Sequence, residues 1–337
     1  MAYELQLLAT KLLQNQGFLR AHDQALTAMV RLDERVRRSS PELAAGFKSR
    51  CDFYEAQASG RVVHLEDVVL HDANTDVRTP TDEILAASRA LIRRRELAKA
   101  SKAKCADPEY LAKITSLSLT DFLATDTLAS LADDDESSGH STELDEALEQ
   151  IDGLSSKSDA GSIALLLREV ATLPAFLGGV LLLDHWLYHE GERFTDIGPL
   201  LLGAHWKAAG FMTAHSPSIA RGLWKARNRW QRHMEFEDRV GNLMATFTDL
   251  AKSGNADLDR LALAQEVMLN KVPAKGRHVN LREMIAVFVE LPLVSNAILM
   301  KRLKVTKQAV DYLFSQLGSS LPRELTGRER YRAWGVL

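Results

Sequence analysis

Cysteine is nearly absent from this sequence of 337 residues, which contains only Cys51 and Cys105. Because the two are far apart and no CxxC pair occurs, the sequence has neither a disulfide framework nor zinc-ligand spacing. Long apolar runs are also missing, since the longest candidate, residues 173–187, is interrupted by proline, glycine, aspartate and histidine. The amino terminus lacks the basic region and apolar core of a signal peptide. These absences predict a protein of the reduced cytoplasm.

A large net charge is missing as well. The formal net charge is -3, with 46% hydrophobic and 26% charged residues, a composition typical of a globular chain. Since the chain as a whole does not attract polyanions, any nucleic-acid site must come from local clustering of lysine and arginine.

The motifs of common enzyme and nucleotide sites are absent too, since no GxSxG, GxxxxGK or GxGxxG occurs. His185 and His189 have an i, i+4 spacing that can place two imidazoles on one metal ion. No further ligand lies at a diagnostic distance from them, so the sequence predicts neither a metal site nor a cofactor.

Helical periodicity dominates the pattern of apolar residues, and strand-like alternation is scarce, so the fold is predicted to be mainly α. Residues 133–159 hold ten acidic residues against one lysine, which predicts a flexible linker or loop. The stretch "KSGNAD" at 252–257 predicts a second break. The expected domains are an N-terminal helical region at 1–130, an acidic linker at 131–160, a central helical domain at 161–253 and a C-terminal domain at 254–337.

The C-terminal region has the pattern of a helix-turn-helix, with helices predicted at 258–271, 281–291, 295–303 and 306–317. Ser295 and Thr306 stand where capping residues are needed. The second helix of the pair has a core-facing stripe of Ala309, Val310, Leu313, Phe314 and Leu317, which leaves polar residues at its start available to a DNA groove.

Two short strands are predicted in "RELTGRERYRAWGV", around a turn in which Gly327 supplies a positive φ. Trp334 and Leu325 are expected to form the core of this hairpin. From residue 295 to residue 337 the local charge is +5, so a basic module is segregated within an acidic chain. The sequence therefore predicts a C-terminal winged helix-turn-helix that binds double-stranded DNA.

The predicted DNA contacts fall into two groups. Base edges are expected to meet Lys307 and Gln308, together with Asp311 or Tyr312. Phosphates are expected to meet Lys301, Arg302, Lys304, Arg328, Arg330 and Arg332, with Thr306 and Arg323 on the same surface. A single helix-turn-helix gains affinity by dimerising on a two-fold site, so a homodimeric transcription regulator is expected. The alternatives are a solvated basic face and an antitoxin-like module that contacts only proteins.

These same residues carry a resemblance to a known family. The stretch "LPLVSNAILMKRLKVTKQAVDYLFSQLG" followed by "RELTGRERYRAWGVL" resembles the C-terminal module of a bacterial, often plasmid-borne family in which a domain of unknown function precedes a helix-turn-helix. The resemblance implies DNA binding but no particular operator.

A more distant resemblance connects the rest of the chain with Fic proteins, which are helical AMP-transferases. "EAQASGRVVHLEDVVLHDA" from Glu55 resembles their N-terminal signature, with Val63 near the place of the inhibitory glutamate, and "IGPLLLGAHWKAAGFMTAHSPSIARGLWKARNRW" resembles the segment after their active-site loop. His185 and Arg193 keep the loop's spacing, but its glycine-rich turn and acidic ligand are missing. The resemblance implies a degenerate Fic-like core without enzyme activity; a nucleotide-binding pseudo-enzyme is the alternative.

Two other basic stretches lie at 88–104 and 221–233. Both are interpreted as solvated helix faces, with Trp224 and Trp230 packed inward. If either stretch touches DNA, it is expected to hold phosphates rather than to read bases.

Overall fold

The computed structural model describes residues 4–73, 79–115, 160–190, 196–226, 230–274, 278–327 and 332–336. The fold is mainly helical, as predicted. The predicted acidic linker at 131–160 lies outside the described residues except for its last residue. The first helices are α1 (Glu4–Gln14), α2 (Gln16–Arg38), α3 (Pro41–Ser59), α4 (Leu65–Asp72), α5 (Asp82–Lys99), α6 (Lys102–Cys105) and α7 (Pro108–Thr115).

The second half of the chain adds more helices and three short strands. The helices are α8 (Ala160–Val170), α9 (Ala175–Glu190), α10 (Ile197–Ala208), α11 (Ile219–Lys225), α12 (Phe236–Leu269), α13 (Val279–Glu290), α14 (Asn296–Leu303) and α15 (Lys307–Leu317). The strands are β1 (Val294–Ser295), β2 (Arg323–Glu324) and β3 (Ala333–Gly335), and they form one antiparallel sheet in the order β1-β3-β2.

The long helices α2 and α12 pack against each other in the main core. Gly254 of α12 lies so close to α2 that a Cβ atom there would be 2.9 Å from Cδ2 of Leu32. Arg35 donates hydrogen bonds of 3.1 Å to the backbone and side-chain oxygens of Asn255. The predicted break at 252–257 is therefore wrong: α12 runs through it, because these tertiary contacts outweigh the weak helix propensity of the stretch.

A buried arginine on α3 joins the N-terminal helices to the C-terminal region. Arg50 is 2% exposed, and its guanidinium donates hydrogen bonds to the carbonyl oxygens of Val289 at 2.7 Å, Leu291 at 3.1 Å and Val336 at 3.0 Å. Gly46 permits the approach, because a Cβ atom there would lie 2.3 Å from the oxygen of Val289. The carbonyls at the end of α13 thus find a donor that the helix itself cannot supply.

The C-terminal region has its own apolar core. Its buried residues come from the end of α12, from α13 to α15 and from β1, and they are Met268, Leu281, Met284, Ile285, Val287, Phe288, Val289, Val294, Leu299, Leu303, Val310, Leu313 and Leu317. This core fixes the mutual orientation of α14 and α15.

Candidate nucleic-acid interface

Helix α14 is the first helix of the predicted pair. Its cap is Ser295, whose hydroxyl oxygen accepts a hydrogen bond of 3.3 Å from the backbone N–H of Ile298. Leu299 and Leu303 are buried, while Lys301 is exposed. The helix therefore packs on one side and presents a cation on the other, as the sequence predicts.

A left-handed residue makes the turn between the two helices. Lys304 has φ 54° and ψ 44°, which ends α14 and redirects the chain. Two residues later the hydroxyl oxygen of Thr306 accepts a hydrogen bond of 3.3 Å from the N–H of Ala309 and caps α15. The turn is short because a left-handed residue and a capping residue together satisfy the facing helix ends.

Helix α15 divides into a buried and an exposed side. Val310, Leu313 and Leu317 are buried, and Ala309 and Phe314 are half-buried, so the predicted stripe faces the core. On the opposite side, the first turns of α15 expose Lys307, Gln308, Asp311 and Tyr312, the last of which is 63% exposed.

A β-hairpin follows, in which Glu324 pairs with Trp334 and the N–H of Leu325 donates a 2.9 Å hydrogen bond to the oxygen of Ala333. The ring of Trp334 lies edge-on to Phe314, with centroids 4.7 Å apart. Gly327 has φ 58°, as predicted. Strand β1, which the sequence did not predict, pairs Val294 with Trp334 and so ties the hairpin to the start of α14.

Glu324 is committed to the hairpin turn. Its pKa is lowered by the hydroxyl of Thr326 and by the backbone N–H groups of Thr326 and Gly327, which donate to the carboxylate at 2.9 and 3.0 Å. The charge of the Glu324 carboxylate therefore stabilises the turn.

The described members of the predicted contact set all lie at the surface: Lys301, Arg302, Lys304, Thr306, Lys307, Gln308, Asp311, Tyr312, Arg323 and Arg332. Arg328 and Arg330 lie outside the described residues. Arg302 differs from the expectation in one respect, because it donates a 3.0 Å hydrogen bond to Glu290 at the end of α13. That partner is twelve residues away, and the sequence pattern gave no sign of it.

Comparison with known proteins adds to this geometry. A family model described as "HTH DNA binding domain" matches residues 281–337, and one described as "Protein of unknown function (DUF1612)" matches residues 163–273. The sequence is 30% identical, over a 390-residue alignment that covers all of both chains, to "Uncharacterized protein y4cF" of Sinorhizobium fredii (strain NBRC 101917 / NGR234). The chain therefore belongs to the same family as this relative.

The family match confirms that a domain of unknown function precedes a C-terminal helix-turn-helix, and it supports DNA as a partner. The matched segment includes α14, α15 and the hairpin. Within the described residues, no helix is both long enough and apolar enough to cross a bilayer. The plasmid association and the Fic-like similarity stay predictions.

The basic stretch at 88–104 is not simply a solvated face. Arg93 and Arg94 are 6% and 7% exposed, and they pair with Asp196 at 2.6 Å and with Asp52 at 2.5 Å. The interpretation of these two arginines as solvent-facing is therefore wrong. Sequence alone cannot reveal such pairs, because the partners lie 103 and 42 residues away.

The stretch at 221–233 follows the expectation in part. Trp230 is half-buried and its indole N–H donates a 2.6 Å hydrogen bond to Asp184, so it packs inward. Trp224 is 39% exposed, so it does not pack inward. The guanidinium of Arg221 lies 3.4 Å above the ring centre of Tyr54. This cation is therefore engaged in a cation–π contact within the fold.

The two segments for which the sequence predicts a Fic-like resemblance meet in the structure. The carboxylate of Glu55 is 4% exposed and accepts a 2.9 Å hydrogen bond from the N–H of Ala220. Burial raises the pKa of Glu55 to about 7. Val63, near the expected place of the inhibitory glutamate, is 76% exposed. His185 lies within α9, whereas Arg193 falls outside the described residues.

His185 and His189 have ring centres 4.2 Å apart. In the part of the chain that the structure describes, no third histidine, cysteine or carboxylate completes a metal site with them.

Proposed function

We propose that the protein binds double-stranded DNA sequence-specifically through a winged helix-turn-helix and acts as a cytoplasmic transcription regulator. The observation that supports this most is the exposure of Lys307, Gln308, Asp311 and Tyr312 at the start of α15, while the opposite side of the helix is buried. A recognition helix inserts this end into the major groove.

Lys307 and Gln308 stand where side chains reach base edges, and the amide of glutamine can bond an adenine edge. Lys301 and Lys304 flank them on α14 and the turn, and Arg323 and Arg332 stand at the two ends of the hairpin. We assign phosphate contacts to these four cations. The hairpin, as a wing, would contact phosphates, and α15 would contact the bases that determine sequence specificity.

A second copy of the chain is part of the proposal. Leu263 and Val267 lie one turn apart on α12 and are 62% and 42% exposed, and Val279 at the start of α13 is 61% exposed. These exposed apolar side chains lie on the two helices that precede the helix-turn-helix, and they suit a dimer contact that would place two recognition helices on a two-fold site.

Fluorescence anisotropy with a labelled duplex taken from a bound genomic fragment tests the proposal. Lys307→Ala should weaken binding by about tenfold or more, in the range of one base contact. Lys11→Ala, which removes an exposed lysine from α1, should leave binding unchanged. Equal affinities of the two variants for the duplex would contradict a place for α15 in the DNA interface.

We propose that the protein is not an enzyme. The second candidate is a nucleotide-binding pseudo-enzyme, which rests on the predicted Fic-like resemblance of the two segments that the Glu55–Ala220 hydrogen bond joins. Labelled ATP in a cell lysate should leave proteins unmodified, and labelling that depends on His185 would contradict this view.

If no genomic fragment is retained at all, the antitoxin-like alternative takes precedence.

A further inference from the structure

A cleft lies between α5, α10 and the segment 212–216, away from the helix-turn-helix. Its volume is about 130 Å³. One part of its wall is apolar, with Leu97, Pro199, Leu200 and Met212; the other part is polar, with Glu55, Arg93, Arg94, Asp196, Lys207, His215 and Ser216. Clefts that take drug-sized ligands measure about 300–1,000 Å³, so only a small molecule fits here.

Lys207 brings a positive charge to this cleft without a counter-charge. Its ammonium donates hydrogen bonds to the carbonyl oxygens of Leu97 at 3.0 Å and Ala98 at 2.7 Å, at the end of α5. Within the described chain no carboxylate forms an ion pair with it. Two neutral carbonyls hold the ammonium in place and leave one of its three N–H groups for another acceptor.

The acidic groups around the cleft are already engaged. Asp196 pairs with Arg93, and Asp52, behind the wall, accepts from Arg94 and lies 2.7 Å from Nε2 of His215. Burial lowers the pKa of His215, so the imidazole is neutral at pH 7. Burial raises the pKa of Glu55 to about 7, so this carboxyl is partly protonated. The cleft is therefore electrostatically suited to an anion.

A polar group without a partner also lines the cleft. The hydroxyl of Ser216 is buried and has no hydrogen-bond partner among the described residues. It lies opposite Gly203 of α10, where a Cβ atom would come within 3.2 Å of the hydroxyl oxygen and 3.7 Å of Leu97. Glycine thus keeps open the space between a hydrogen-bonding group and the apolar wall.

We propose that this cleft is a binding site for a small aliphatic carboxylate. The carboxylate meets the ammonium of Lys207, and the alkyl chain packs on Leu97, Leu200 and Met212. The site is independent of the DNA-binding proposal, because none of its groups belongs to α14, α15 or the hairpin.

Isothermal titration of the full chain with sodium butyrate tests the site. Butyrate should bind with one site per chain, and butyramide, which has the same shape without the charge, should bind at least about tenfold more weakly. Lys207→Met should weaken butyrate by a similar factor. Lys252→Met, an exposed lysine of α12 outside the cleft, should bind like the unchanged protein.

Gly203→Ala is the second variant, and it keeps every charge. Its methyl group narrows the cleft beside Ser216, while alanine favours the helix, so the protein should fold and bind butyrate less tightly. The proposal is overturned if acetate, butyrate and hexanoate all give no binding heat at concentrations on the order of 10 mM. It is also overturned if butyramide binds like butyrate, or if Gly203→Ala and Lys207→Met both leave the affinity unchanged.

Discussion

At the scale of single residues, buried charges hold this fold together. Arg50 donates only to backbone carbonyls, while Arg94 joins Asp52 and the carbonyl of Pro217 at 3.2 Å. None of these roles could be predicted from the sequence, because an arginine in a helical pattern normally marks a solvent-facing position and the partners lie on remote segments. Tertiary packing decides which cations are exposed.

Glu55 gives a prediction about pH. Its pKa of about 7 lies above the ordinary value of 4.5, so the folded state holds an extra proton between these values. The contribution of this group to stability should therefore fall as the pH rises from 4.5 to 7. Glu55→Gln cannot ionise, so its free energy of unfolding relative to the unchanged protein should rise by about 3 kcal/mol over this window.

Urea denaturation of both proteins at pH 5 and pH 8 measures the effect. His215, whose pKa is lowered, contributes in the opposite direction, as stability gained when the pH rises towards 6.5. Asp52, with a pKa of about 2, stays ionised throughout. Because both groups are present in both proteins, their contributions largely cancel in the comparison. A difference between the two proteins that does not change with pH would show that Glu55 is not protonated in the fold.

At the scale of elements, capping residues allowed the helix pair to be located. Ser295 and Thr306 hold the positions that the sequence predicted, and α14 and α15 begin directly after them. Strand β1 was missed because two residues are too few to show alternation. The break predicted at 252–257 failed because Gly254 serves close packing on Leu32 and not chain reversal. Local patterns thus located elements with their own signals and missed those fixed by contacts.

The turn between α14 and α15 offers a test in which stability and binding move in opposite directions. Lys304 has a left-handed backbone, which glycine adopts without steric cost. Lys304→Gly should therefore stabilise the protein by about 0.5–1 kcal/mol in urea denaturation. The same variant loses a phosphate contact, so the salt dependence of DNA binding should decrease by about one unit of slope.

Lys304→Ala is the matched control, since it removes the same charge but keeps a Cβ atom in the left-handed conformation. It should reduce the salt slope equally without the gain in stability. If the slope is unchanged in both variants, Lys304 does not meet a phosphate.

At the scale of the whole molecule, a chain of net charge -3 concentrates cations on its C-terminal domain. The family match places a helix-turn-helix DNA-binding domain at the same residues. The N-terminal helices hold that domain through Arg50 of α3. The same helix carries Asp52 and Glu55 beside the cleft between α5 and α10. One helix therefore contacts both the DNA-binding domain and the residues around the cleft.

Selection of bound sequences from a pool of random duplexes tests the central claim most directly. The proposed homodimer predicts enrichment of one motif made of two inverted half-sites, with centres about one helical turn, 34–36 Å, or a multiple of it apart. Lys307→Ala should lose the enrichment at the positions that α15 reads. Recovery of a pool with no enriched motif, at a salt concentration where the protein still retains DNA, would contradict sequence-specific recognition.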